Sequence, residues 1–217
     1  MRHQCGGAFL KKRRLAKGIM KIYDISQELF SCVVFPGDPA PRREVLSVME
    51  DGALYNLTAL SLCAHNGTHI DAPYHFIRDG KTVEQLSLSK TVGWAYVTHE
   101  EGLLSAADAR RILADAANAN PEAAKRILIG GRATVTEEAA KVFAEAKIDL
   151  LGNESQTVGP EDAPMQVHLT LLGAEVVLLE GIRLGDVPTG VYLLSAAPIS
   201  LAGADGAPCR AILISMS

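Results

Sequence analysis

The alternation of apolar and polar positions along the chain predicts a mixed α/β domain. Alternating or short apolar runs indicate strands at residues 21–25, 55–64, 94–98, 126–129, 148–152, 175–180, 191–195 and 210–215. Helical spacing indicates helices at residues 105–118, 136–146 and 168–173. Strands interleaved with helices predict one α/β domain with a mixed sheet, and periodicity leaves the topology of that sheet open.

Local signals support two helix starts and one loop. Ser105 and Asp108 resemble a capping box, and Thr136 precedes two glutamates that favour the first turn of a helix. Three prolines and a Gly-Asp pair between residues 33 and 45 predict an extended loop.

The composition is that of a folded protein with a sizeable core. Hydrophobic residues make up 48% and charged residues 21% of the 217 positions, which argues against disorder. No run of 18 apolar residues occurs, so we expect no spanning helix and no membrane partner. Aromatic residues are scarce at 5% and the net charge is −4, which argues against a nucleic-acid partner.

Residues 1–19 differ from the rest because they contain six Lys or Arg residues and no acid. They lack the apolar segment and cleavage site of a secretory signal. We expect a disordered basic tail or an over-long gene start with true initiation at Met20, so that residues 20–217 form the single domain. A basic arm that binds nucleic acid is the weaker alternative. The four cysteines are dispersed without a CxxC pair, which predicts a reducing, cytoplasmic location.

One short segment carries candidate chemistry. His65, His69, Asp71 and His75 fall within eleven residues, although the whole chain has six histidines. Imidazole and carboxylate groups are ligands for zinc, manganese or iron. Because His69 and Asp71 are two residues apart, their side chains face the same side of an extended chain. The segment predicts a metal-ligand loop at a strand end.

The residues alone leave two interpretations of Glu180 open. Its position fits an exposed carboxylate at the end of a strand, yet a carboxylate beside the apolar run at residues 176–179 is costly to bury unless a cation pairs with it. His99 comes at the end of a strand and is followed by Glu100 and Glu101, which favours a surface position.

The histidine-rich segment resembles the signature H-x-G-T-H-x-D-x-P-x-H of the cyclase and bacterial kynurenine formamidase family. Seven residues match its fixed positions: His65, Gly67, Thr68, His69, Asp71, Pro73 and His75. Further likeness lies in FPGD at residues 35–38, LLGNESQTVGP at 150–160, LLEG at 178–181 and DVPTGVY at 186–192. The resemblance extends from Met20 to the C-terminus.

This resemblance implies a compact domain with a mixed, β-barrel-like sheet flanked by helices, of the swivelling β/β/α type, that assembles as a homodimer or homotetramer. It also implies two metal ions per chain, zinc or manganese. The implied ligands are His65, His69 and Asp71 for the first ion, and Asp71, His168 and Glu180 for the second, with Glu180 shared. His75 is implied to be the catalytic proton donor and acceptor.

The chain departs from the family pattern at the expected substrate wall. Phe35 stands where the formamidases have tryptophan, Glu154 where the family has aspartate, and Gln156 where it has proline. The stretch at residues 129–135 is also shorter. We expect Phe35 and Glu154 to bind substrate, with the metal ligands retained and the substrate wall altered.

These features predict a metal-dependent hydrolase that acts on a small-molecule substrate. The substrate is expected to be an amide, a formamide as in arylformamidase, or a cyclic amide. The resemblance implies a role like that of kynurenine formamidase in tryptophan catabolism. One alternative is a family enzyme acting on another ring or an ester, as in isatin hydrolase or a polyketide cyclase. Glu180 disfavours the isatin type, whose members have glutamine there. A metal-binding protein without turnover is a second alternative, which the retained His75 disfavours.

Overall fold

The computed structural model describes residues 20–216, so the expectations for residues 1–19 lie outside the described part of the chain. Thirteen strands are present in this range: β1 Met20–Asp24, β2 Arg42–Ser47, β3 Leu57–Ser61, β4 His69–Asp71, β5 Val92–His99, β6 Gly102–Leu104, β7 Arg126–Gly130, β8 Ala133–Val135, β9 Leu150–Asn153, β10 Val177–Glu180, β11 Gly190–Ser195, β12 Gly206–Pro208 and β13 Ile212–Met216. Four α-helices accompany them: α1 Leu88–Thr91, α2 Ala106–Ala119, α3 Glu137–Glu145 and α4 Met165–Gly173.

Nine strands form one mixed sheet in the order β1-β13-β11-β5-β7-β9-β10-β4-β12. Its centre, from β5 to β10, is parallel, and antiparallel strands extend it on both sides. The strands predicted from the sequence all belong to observed strands, with boundaries shifted by a few residues. Five observed strands were not predicted: β2, β4, β6, β8 and β12.

Both faces of the sheet are buried. Ile127 and Ile129 of β7 pack into a core beneath the helices, where Ile112 and Phe143 also lie. Leu128 points to the opposite face and belongs to a second core. This second core joins residues from strands near both edges of the sheet, so the sheet curls into a half-barrel around it. The chain is therefore a mixed α/β domain of the predicted kind.

Helices α2 and α3 begin as the sequence predicts, whereas α4 begins at Met165 instead of the predicted His168 and α1 was not predicted. Ser105 Oγ accepts a hydrogen bond from Asp108 N at 3.2 Å, and Asp108 Oδ2 accepts from Ser105 N at 3.0 Å, which completes the capping box of α2. Thr136 Oγ1 accepts from Ala139 N at 3.2 Å at the start of α3. Within residues 20–216, none of the helices combines the length and apolarity needed to cross a bilayer.

The pairing of β10 with β4 positions the histidine-rich segment. β4 runs antiparallel to β10, with His69 opposite Glu180 and Asp71 opposite Leu178. All three residues of β4 are buried. The predicted ligands of β4 thus lie beside the last residue of a central strand, inside the fold.

Candidate metal centre

The turn that leads into β4 is held by its own polar side chains. Asn66 Oδ1 accepts a hydrogen bond from Cys63 N at 2.9 Å, and Gly67 adopts a φ of +67°, which glycine tolerates best. Thr68 Oγ1 donates to Gly181 O at 2.7 Å. Because Gly181 follows Glu180 directly, this bond connects residues 65–68, called the ligand loop below, to the end of β10.

The structure brings three predicted ligands together around Asp71 Oδ1. His65 Nδ1 lies 2.8 Å from this oxygen and His69 Nε2 lies 3.4 Å from it. The candidate ligand atoms of these three residues lie within 4.8 Å of one another. His65, His69 and Asp71 therefore form a first group that is able to hold a cation.

A second group forms around the other oxygen of Asp71 and one oxygen of Glu180. His168 Nε2 lies 3.6 Å from Asp71 Oδ2 and 3.2 Å from Glu180 Oε1. Glu180 Oε2 faces the first group instead, at 3.6 Å from His69 Nε2. Each carboxylate thus points one oxygen at each group, which is the arrangement of two neighbouring cations with shared carboxylate ligands.

Backbone carbonyls orient two of the histidines. His69 Nδ1 donates to Gly67 O at 3.0 Å, and His168 Nδ1 donates to Pro164 O at 2.9 Å. A hydrogen bond from one ring nitrogen fixes the tautomer and leaves the lone pair of the other nitrogen for a metal. In both residues that other nitrogen is Nε2, which faces the carboxylates.

The buried charges perturb one another strongly. Burial acts to raise the pKa of Asp71, but the neighbouring imidazoles of His168, His65 and His69 outweigh it and hold that pKa well below its usual range. Burial acts to lower the pKa of His168, but Asp71 and Glu180 raise it to about 10. The same two carboxylates raise the pKa of His69 well above its usual value, against the effect of burial. Asp71 is therefore anionic, and its negative charge favours positive charge beside it.

Two buried atoms at the centre, His69 Nε2 and Asp71 Oδ2, have no hydrogen-bond partner among residues 20–216. A buried polar atom left unpaired is costly, and a divalent cation satisfies both at once. The donors are imidazole nitrogens and carboxylate oxygens without thiolate, which suits zinc or manganese. The residues present therefore fit a metal centre.

Asp205 also belongs to the site, although no motif in the sequence marks it. Its Oδ2 lies 2.9 Å from His65 Nε2 and 3.0 Å from His75 Nδ1. It is separated from these histidines by 140 and 130 residues and stands in an ordinary Gly-Ala-rich turn sequence. Only the pairing of β12 with β4 brings it there.

A cavity of about 230 Å³ opens onto the metal centre. His75 lines it, and Phe35 and Phe76 give it an apolar wall. Asp38, from the same FPGD element as Phe35, lines it as well. Gln156 lines the cavity too, and both of its side-chain amide atoms are buried without a hydrogen-bond partner in the described part of the chain.

Glu154, expected to bind substrate, is not brought to this cavity. Its Oε2 accepts a hydrogen bond from Gly131 N at 2.6 Å, and its Oε1 accepts from Leu184 N at 2.7 Å. Both oxygens are thus engaged with the loops after β7 and β10, which Glu154 holds together. His99 is exposed and donates from Nε2 to Val187 O at 2.7 Å, away from the metal centre.

The fold and the site together define a metal-dependent hydrolase. The model of the family described as "Putative cyclase" matches residues 23–160. The chain therefore belongs to this family, called the cyclase family below.

Curated relatives match along nearly their whole length. The kynurenine formamidase of Sphingopyxis alaskensis is 30% identical over 210 residues, which cover 89% of this chain and 97% of the relative. That of Salinibacter ruber is 32% identical over 216 residues, with the same two coverages.

Solved structures agree with the fold. A protein described as a potential metal-dependent hydrolase with cyclase activity superposes with a TM-score of 0.75 at 27% identity, covering 92% of this chain and all of the other. Isatin hydrolase A from Labrenzia aggregata, bound to benzyl benzoate, has a TM-score of 0.75 at 20% identity and covers 91% of this chain and 94% of its own. The second likeness concerns the fold alone.

Proposed function

We propose that this metal-dependent amide hydrolase cleaves the formyl amide of an aromatic amine, as the name kynurenine formamidase describes for its relatives. The observation that carries the proposal is the shared-carboxylate centre opening onto a cavity that contains both a histidine and an aromatic wall. Such a cavity accepts a flat aryl group and holds its amide carbonyl next to the ligand atoms.

Two cations, zinc or manganese, are held by His65, His69, Asp71, His168 and Glu180 in this proposal. When bound, such cations lower the pKa of a coordinated water toward about 7 and polarise a carbonyl oxygen. The buried carboxylates of Asp71 and Glu180 hold the positive charge in place, and the walls of the cavity limit the access of bulk water.

His75 serves as the proton carrier. In hydrolysis of a formamide, water adds to the carbonyl carbon, the C–N bond breaks, and the products are formate and an arylamine. The amine nitrogen leaves only after it gains a proton, and the proton of the attacking water must be taken up. His75 lines the cavity with a side chain that is 26% exposed, so it reaches a bound substrate while staying in contact with the centre.

Phe35 and Gln156 shape the substrate side. Phe35 stacks on an aryl ring without the indole N–H that a tryptophan would add. Gln156 lines the same cavity, and its amide offers a donor and an acceptor to polar groups of the substrate once its side chain turns toward them. A substrate with a polar substituent near its aryl amide is therefore favoured over a bare anilide.

A second copy of this chain covers the hairpin of β2 and β3 in the proposed assembly. The hairpin forms a separate two-stranded sheet, and Val45, Leu46, Leu57 and Leu60 on it are each about half exposed. An isolated two-stranded sheet with exposed apolar side chains is marginal in water. A homodimer or homotetramer that buries these residues is expected, and light scattering of wild type and Leu60→Asp measures whether the charge dissociates it.

The experiment that tests the proposed function compares substrates under metal control. Purified protein is assayed with N-formylkynurenine, formanilide, isatin and an aryl ester, before chelation, after chelation and after zinc or manganese is restored. We expect metal-dependent release of formate, fastest for N-formylkynurenine. Metal-dependent opening of isatin without any formamide cleavage would contradict the proposal.

A further inference from the structure

Asp205 lies where the ligand loop meets the cavity. Its carbonyl oxygen accepts a hydrogen bond from Ala72 N at 2.9 Å, and the next residue, Gly206, stands opposite Asp71 in the pair of β12 with β4. A Cβ at Gly206 would lie 2.8 Å from His65 Cε1, closer than carbon atoms pack. Glycine at this position lets the ring of His65 approach, and the strand pairing fixes the backbone of Asp205.

One oxygen of Asp205 contacts two histidines with different expected roles. Asp205 Oδ2 lies 2.9 Å from Nε2 of His65 and 3.0 Å from Nδ1 of His75. Both distances are those of hydrogen bonds. An ionised carboxylate only accepts, so each of these two nitrogens carries the hydrogen.

This arrangement determines which nitrogen of His65 is a metal ligand. The other nitrogen of His65, Nδ1, lies 2.8 Å from Asp71 Oδ1, so without a metal it donates to that carboxylate. When a cation takes the place of this hydrogen, Asp205 keeps the hydrogen on Nε2, and the lone pair of the neutral ring is on Nδ1. His65 therefore offers Nδ1 to the first ligand group. The ligand atoms of His65, His75 and Asp205 are also close enough to form a third cation site. A neutral imidazole has a single lone pair, however, and that of His65 is already directed to the first group.

The same oxygen of Asp205 also determines the tautomer of His75. With the hydrogen on Nδ1, the free lone pair is on Nε2 of a ring that lines the cavity. A base that takes a proton from water or returns one to a leaving amine needs this free nitrogen. The rings of His65 and His75 are stacked at a tilt of 32°, with their centroids 4.0 Å apart. A change in the orientation of one ring therefore disturbs the orientation of the other.

We propose that Asp205 is a positioning residue that sets the tautomers of the metal ligand His65 and the proton carrier His75 through one shared oxygen. His69 and His168 receive the equivalent support from backbone carbonyls, which no substitution removes. His65 and His75 depend on a side chain instead. The kinetic part of this inference rests on the proposed hydrolase function, and the tautomer part does not.

The first test is direct observation of the tautomers. Long-range ¹H–¹⁵N correlation spectra of the zinc-loaded protein distinguish Nδ1–H from Nε2–H, and the signal of His75 is assigned by its loss in His75→Gln. We expect His75 as Nδ1–H in wild type and in Asp205→Asn, whose amide oxygen still accepts, and a tautomer mixture in Asp205→Ala. An unchanged His75 signal in Asp205→Ala would overturn the proposal.

The second test separates positioning from general damage. Asp205→Ala is expected to lower kcat about 100-fold and to change KM less than about threefold, with a smaller loss in Asp205→Asn. Added acetate restores part of the kcat of Asp205→Ala, because the side chain it replaces is 41% exposed and leaves a site open to solvent. Asp79→Asn, an exposed aspartate close to the same loop, is the control and keeps wild-type kinetics.

The two tests fail in distinguishable ways. If wild type cleaves no formamide while Asp205→Ala still loses the His75 tautomer, the proposed function fails and the positioning role stands. If wild type is active and Asp205→Ala matches it in kcat and tautomer, the positioning role is wrong and the proposed function stands.

Discussion

Glu180 lies directly opposite His69 across the pair of β10 with β4, and its Oε2 is 3.6 Å from His69 Nε2. The other oxygen of Glu180 is 3.2 Å from His168 Nε2. One buried carboxylate thus reaches both ligand groups, which a strand-end surface carboxylate does not do. The burial of Glu180 is compensated by the positive charge that its neighbours or a bound cation supply.

Glu180→Ala should therefore affect both ligand groups. We expect fewer than two metal ions per chain and a loss of activity of at least about 100-fold, because a shared ligand is removed from both groups. Elemental analysis after gel filtration measures the metal. Glu145→Gln, on the exposed end of α3, is the matched control and should bind metal as wild type does. Full metal content in Glu180→Ala would show that Glu180 is not a ligand.

His75→Gln should separate chemistry from metal binding. The side chain lines the cavity and is not part of either ligand group around Asp71. We expect kcat to fall by about 10² to 10⁴, the usual contribution of a positioned proton carrier, while the metal content stays at the wild-type level. Equal loss of metal and activity would mean that His75 acts mainly as a ligand.

Metal uptake by the metal-free protein should release protons. The pKa of His168 is raised to about 10, so its ring is protonated at pH 7 before a cation binds, and the pKa of His69 is also raised well above its usual value. A cation requires neutral imidazole, so its affinity rises with pH. The folding stability of the metal-free protein changes with pH in the opposite direction to the metal affinity. The stability contributed by His168 is fully present below about pH 6.5 and is lost as pH rises through 10. Calorimetric titration with zinc, in two buffers of different ionisation enthalpy, counts the released protons, and a count of zero would contradict this account.

Glu154→Gln should reduce stability and leave substrate binding unchanged. The carboxylate accepts from two backbone N–H groups, and glutamine offers one oxygen in place of two. Hydrogen bonds to charged groups contribute about 1.5–3 kcal/mol each, so we expect the free energy of unfolding to fall by about that amount. Denaturant unfolding measures it, with exposed Glu161→Gln as the control. A large rise in KM with unchanged stability would contradict this expectation and support the substrate-binding role predicted from the sequence.

The sequence predicts the longer strands and helices because their apolar periodicity is uninterrupted. It misses β4 because all three residues, His69, Ile70 and Asp71, are buried, so no alternation between a polar outer face and an apolar inner face exists. It misses β12 for a related reason, since a three-residue Gly-Ala-Pro strand has no periodic signal. The order of strands in the sheet likewise depends on long-range pairing that periodicity does not encode.

The candidate site is predictable where its residues are close in sequence. Four residues between His65 and His75 are visible as a cluster, and the family resemblance adds His168 and Glu180. Asp205 is not visible because a single aspartate in a turn is common and its partners are more than a hundred residues away. Glu154 was assigned to the substrate from its motif, although its contacts depend on two loops that only the fold brings together.

The central claim is that one buried cluster holds two cations through shared carboxylates. The most direct measurement is metal per chain by elemental analysis, in protein stripped by chelator, incubated with zinc or manganese and freed of excess ion, for wild type and Asp71→Ala. The account predicts close to two ions for wild type and close to none for Asp71→Ala, because Asp71 contributes one oxygen to each group. No metal in wild type, or equal metal in both proteins, would contradict it.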